Sequence, residues 1–64
     1  MRGELIKYIF YGTKFDIKIE ILAYNYYQAQ NILKQTFDNY RDFSFYEKEY
    51  IHKENWQVGI NAIV

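Results

Sequence analysis

His52 is the only histidine, Ser44 the only serine, and cysteine is absent. A nucleophile needs a base within hydrogen-bond reach and a third group to orient that base. His52 falls beside Lys53 and Glu54 in an expected turn, and Ser44 lies in an expected strand outside any G-x-S-x-G elbow. Neither completes a set, so no catalytic residue is assigned and the chain reads as a non-enzyme. Glu47, Glu49, His52 and Glu54 carry ligating side chains, but on a strand Glu47 and Glu49 share one face and His52 falls on the other. Cation sites built from oxygen need several convergent ligands. The same charges on an edge strand deter unwanted pairing, and that reading is preferred. Gly3, Gly12 and Gly59 are isolated, so no glycine-rich loop leads into a helix to cradle phosphate. No metal and no cofactor is expected.

What remains is the chemistry of binding, and aromatic residues carry it. Fourteen of 64 residues are aromatic: eight Tyr, five Phe and one Trp. Each buries roughly 150–250 Å², while a chain of this length leaves about 40% of its unfolded surface exposed. Several aromatics must therefore face solvent or a partner. The stretch RDFSFYEKEY, residues 41–50, concentrates the question. Its alternating aromatics could stack bases on an open sheet, or they could fill a core.

The whole chain narrows the answer. Eight Lys and Arg against eight Asp and Glu leave no net charge, which disfavours nucleic acid, since that contact rests on clustered cations. Low net charge also favours self-association, and a homodimer is expected. No apolar run reaches the length of a membrane helix, and no export signal is read at the start. With cysteine absent as well, the default reading is a cytoplasmic protein of one domain over residues 1–64, without membrane attachment.

The elements that must position these side chains are legible in order. Residues 15–21 alternate strictly, with Phe15, Ile17, Ile19 and Ile21 on one face. A two-residue turn at Gly12-Thr13 would pair them with residues 4–11, setting Phe10 opposite Phe15, Tyr8 opposite Ile17 and Ile6 opposite Ile19. Asn25 and Gln28 form a capping box for a helix over residues 26–38, which buries Ala29, Ile32, Leu33 and Phe37, with Tyr40 beyond them. Residues 43–51 and 56–64 read as a second hairpin around the turn 52–55. A bulge in its first strand would put Phe43 and Phe45 inside and then switch faces; alternatively, the charged middle marks an edge. The sum is an α+β fold, β-β-α-β-β, a four-stranded antiparallel sheet with one helix on one face.

Two resemblances bear on function. Arg41, Phe43 and Phe45 resemble the longer signature strand of RNA-recognition motifs, whereas Asp42, Ser44, Tyr46 and Lys48 depart from it, as does the element order. More broadly, a hairpin followed by AYNYYQAQNIL opening a helix is similar to small accessory proteins of bacteriophages and mobile elements, including anti-CRISPR and other anti-defence inhibitors. That resemblance implies a protein that occludes a host protein target. The surface expected to do so is the sheet face away from the helix or an edge, with Leu5, Ile9, Tyr11, Tyr46, Tyr50 and Trp56 as contacts, because Tyr and Trp dominate interface hot spots. The alternative is an oligomeric protein that sequesters a small nucleotide or signalling ligand in a pocket between protomers, built from Tyr24, Tyr27, Arg41, Lys48 and Lys53. Single-stranded nucleic acid stacked on tyrosines is a third reading.

Overall fold

The computed structural model describes residues 4–51 and 57–64. Its elements run β1 (Ile6–Gly12), β2 (Ile17–Ala23), α1 (Tyr26–Thr36), a 3-10 turn at Tyr40–Asp42, β3 (Phe43–Tyr50) and β4 (Gly59–Ile63). The strands form one antiparallel sheet in the order β3-β1-β2-β4, and α1 packs on one face. Fold class and element order are those the sequence implies.

The first hairpin keeps the expected faces but not the expected register. Tyr8 pairs with Ile21, Phe10 with Ile19 and Gly12 with Ile17. Relative to the two-residue turn the slip is four residues, and an even slip returns each side chain to its own face. Tyr8, Phe10, Ile19, Ile21 and Ala23 therefore still make the layer beneath the helix, closed by Ala29 and Leu33. The connection is the loop 13–16, in which Phe15 N–H donates to the Gly12 carbonyl at 3.2 Å and Asp16 takes a φ of 53°. Asp is among the residues that visit this region at modest cost. Gly12 belongs to the strand, not to the turn. Its role is packing: a Cβ there would stand 2.6 Å from the Phe43 ring. Phe15 correspondingly leaves the core and stacks on Phe43 from outside, with ring centroids 6.0 Å apart.

The expected second hairpin does not form. β3 pairs with β1 and β4 pairs with β2, at opposite edges of the sheet. Each strand thereby sets its apolar residues beside the layer the first hairpin has built. Phe43 and Phe45 lie next to Gly12 and Phe10, and Ile60 and Ile63 next to Ile21 and Ile19. Both edges carry a bulge. Tyr46 is the extra residue between the pairs Phe10–Phe45 and Ile9–Glu47, and Asn61 between Ile21–Ile60 and Glu20–Ala62. The β3 bulge resolves its mixed pattern: Phe43, Phe45, Lys48 and Tyr50 align with the helix-side residues of β1, Glu47 and Glu49 with the other side. The bulge and the edge, read from the sequence as alternatives, both occur.

The helix begins as its capping residues imply. Asn25 Oδ1 accepts from Gln28 N–H at 2.8 Å, and Gln28 Oε1 accepts from Tyr24 N–H at 2.8 Å. It ends at Thr36, earlier than expected, because Phe37 turns extended and its ring packs 5.9 Å from Phe43. Asn25→Ala should cost about 1 kcal/mol by orphaning a first-turn donor. A lowered urea midpoint with an unchanged slope would register that loss; an unmoved midpoint would show that the cap contributes nothing.

Candidate functional site

The sheet face away from the helix is less open than its sequence suggests. Ile9 and Leu22, both on that face, are buried. Around them runs a satisfied polar layer: Lys7 Nζ lies 2.9 Å from Glu49 and 3.9 Å from Glu20, Tyr11 Oη donates to Asp16 Oδ1 at 2.7 Å, and Asn61 donates to Glu20 at 3.0 Å. The Tyr46 ring joins Tyr11 at 6.2 Å and sits under Lys18 Nζ at 4.7 Å. Of the residues expected to meet a partner there, Leu5 and Tyr11 are half-buried, Ile9 is buried, and Tyr46 is exposed. Tyr50 falls on the opposite face, because the Tyr46 bulge re-aims the strand. Trp56 lies outside the described residues, as do His52, Lys53 and Glu54.

The more distinctive surface is on the helix side. Helix α1 lies over β2 and β4, and it reaches the β1–β3 half of the sheet chiefly through the Tyr26 ring, which meets Tyr8, Phe10 and Phe45. Between α1 and β3 opens a groove of about 390 Å³. Its floor is Phe10, Phe43 and Phe45; Tyr26, Gln30 and Lys34 come from the helix, and Tyr40 and Arg41 from the 3-10 turn. Phe45 stays 45% exposed although its ring touches Tyr8, Phe10 and Tyr26, at 6.3, 6.1 and 5.6 Å. Phe45 was expected to close the core; it is instead part of an accessible aromatic floor. Phe43 is half-buried against the core as expected.

Charge in the groove is one-sided. Tyr40 is flanked by Lys34 Nζ and Arg41 Cζ, each 5.7 Å from its ring centroid. Among the described residues neither cation meets a carboxylate, whereas Lys7 pairs with Glu20 and Glu49, and Lys14 with Asp42 at 3.6 Å. Arg41 Nε donates to Tyr40 Oη at 3.3 Å. That hydrogen bond, then the guanidinium charge and Lys34, hold the Tyr40 phenol below the usual tyrosine value. On the other face, the bond donated to Asp16 holds Tyr11 above it.

These opposed shifts predict that Tyr40 ionises before Tyr11 in an alkaline titration followed by ring carbon shifts. A folded-state value lowered below the unfolded one adds stability as pH rises through it, fully present above the unfolded value. Tyr40 behaves so. Tyr11 contributes below the unfolded value and loses that contribution as pH climbs through its raised one. Coincident titration of the two phenols would contradict both hydrogen bonds.

Of the ligand residues inferred from sequence, Lys53 lies outside the described residues, and among the rest only Arg41 lines the groove. Tyr24 caps the helix start through its N–H, Tyr27 is exposed with its ring edge against Tyr26, and Lys48 sits 5.8 Å above Tyr50. Tyr26, at the helix start, can stack a base together with Tyr24 and Tyr27, but Gln30 and Lys34 are not evident candidates from the sequence. The spacing of Tyr26, Gln30 and Lys34 at i, i+4 and i+8 marks a helix flank beside the buried stripe, which is the signal that could have found them. Among the described residues no cluster of three ligating side chains could hold a metal ion, and no helix is long and apolar enough to cross a membrane. No protein-family model, curated protein or solved structure matches the chain.

Proposed function

We propose that this protein is a non-catalytic binding module that captures an anionic, partly aromatic group in the groove between α1 and β3. The observation that supports this most is the pairing of an open aromatic floor with two cations, Lys34 and Arg41, that no carboxylate among the described residues neutralises. Both cations are exposed beside the floor, and Arg in particular recognises planar anions through its fork of donors. Capture of this kind is stoichiometric: the protein sequesters or occludes what it holds. Occlusion of a host target is the form such capture takes in the accessory proteins the sequence resembles. The test is a library of aromatic carboxylates and phosphates titrated into isotopically labelled protein. Amide shifts at Gln30, Lys34, Arg41 and Phe45, lost in Arg41→Gln, are the expected result. Shifts confined to Lys7 and Tyr46, or none, would sink the proposal.

Self-pairing through β4 is a second reading, favoured by one observation. Residues 57–64 carry no charge, and Val58, Ile60, Ile63 and Val64 are exposed there. The other edge, β3, holds Glu47, Lys48 and Glu49, the usual protection against edge pairing. Light scattering at micromolar concentration should give a dimer that Ile63→Lys converts to monomer. A monomeric parent protein would remove this reading.

A further inference from the structure

Resting on the groove reading above, we infer that the ligand is a nucleoside monophosphate, with its phosphate at Lys34, Arg41 and Tyr40 and its base on the open face of Phe45. Four features of the groove carry the assignment. The first is charge. Two cations each lie 5.7 Å from the Tyr40 ring with no carboxylate partner among the described residues, and a phosphate monoester brings about −1.5 to −2 at neutral pH, so a phosphate matches them where a carboxylate neutralises only one. The second is the floor. Phe45 and Tyr26 meet edge to face at 87° and both remain partly exposed, which leaves ring area for a base, and base–aromatic stacking is sequence-tolerant and favourable. The third is polar reach. Gln30 lines the same space and donates to Tyr26 Oη at 3.2 Å, which leaves its amide oxygen as an acceptor for the amino group of a base. The fourth is size. About 390 Å³ falls near the lower end of small-molecule sites, roughly 300–1,000 Å³.

A phosphotyrosine peptide shares the ring and the phosphate, but the groove fits it less well. A bound peptide commonly adds a strand to an edge, and the edge here is interrupted by the Tyr46 bulge and carries alternating charge beyond it. Those features oppose strand addition.

Calorimetry and amide-shift titration with AMP, GMP, CMP and UMP test the inference, with adenosine, inorganic phosphate and a phosphotyrosine peptide as the other arms. At least one mononucleotide should bind saturably at the groove. Adenosine and inorganic phosphate should each bind at least about tenfold more weakly, and Lys34→Gln and Arg41→Gln should each weaken the nucleotide by about tenfold, the loss of one charge-assisted contact. Both side chains are exposed, so both variants should retain the parent circular dichroism spectrum. If the phosphopeptide or an aromatic carboxylate shifts the groove amides while no nucleotide does, the nucleotide assignment fails and the groove stands. If no anionic aromatic compound shifts them, both fail.

Discussion

Phe10→Ala should leave little folded protein at 25 °C. The side chain is 2% exposed and sits at the junction of the helix-side core and the groove floor, in ring contact with Tyr26 and Phe45 at 6.2 and 6.1 Å. Removing a buried Phe costs about 3–5 kcal/mol, from lost transfer free energy and the cavity left behind. A 64-residue domain at ordinary stability per residue has only roughly 3–10 kcal/mol to lose. The rings around Phe10 cannot collapse into the gap, because Tyr26 and Phe45 are held by each other and by Tyr8. Phe10→Leu, which keeps most of the volume, should cost less than about 1.5 kcal/mol. Equilibrium urea unfolding separates these outcomes. An alanine variant as stable as the parent would mean that the aromatic layer does not hold the sheet together.

Gly12→Ala is the second large effect, and its sign is the informative part. Gly12 lies in regular strand conformation and is not among the glycines with positive φ. On backbone grounds alone, alanine at such a site stabilises by about 0.4–1 kcal/mol through the unfolded chain. Packing reverses this. The new methyl would stand 2.6 and 2.9 Å from two carbons of the Phe43 ring, and that ring is held between Phe15 and Phe37. Overpacking of this kind costs about 1–3 kcal/mol. The variant should therefore be destabilised, and Phe43→Leu combined with it should recover part of the loss. A double-mutant cycle measures that coupling. Additive effects would show that the two residues do not press on each other.

Both predictions concern contacts between β1 and β3, the pairing that local sequence did not reveal. Residues 43–51 and 56–64 look like a hairpin because they are neighbours in the chain and the second alternates well. The decision between a local hairpin and two separate edges rests on what each strand can bury. The β1–β2 ribbon offers two free edges, and only their separate use gives Phe43 and Phe45 one flank and Ile60 and Ile63 the other. The stretch RDFSFYEKEY divides accordingly. Phe43 packs on the core, Phe45 opens onto the groove, Tyr46 is pushed by the bulge toward Tyr11 and Lys18, and Tyr50 crosses to the helix side.

The groove was nearly invisible from sequence for a related reason. Its residues come from four elements, and none is unusual for its own. Tyr26 reads as a helix-start aromatic and Phe45 as core. Lys34 reads as a solvated helical charge, and Arg41 as part of a turn. Only the docking of α1 over β2 and β4, not over β1 and β3, leaves space between the helix and β3 and turns these residues toward one another.

Local interactions decide what short segments become, and sequence alone therefore determined the alternating strand, the capped helix with its Ala29–Leu33 stripe, the order of elements and the sharing of faces across the first hairpin. Face assignment survived a four-residue error in register because the strand repeat is two. Strand order, both bulges, the packing role of Gly12 and the juxtaposition of Lys34 and Arg41 with an aromatic floor were decided only in the tertiary structure. They depend on which surfaces are buried together, a property of pairs of segments far apart in the chain, and no single segment carries it.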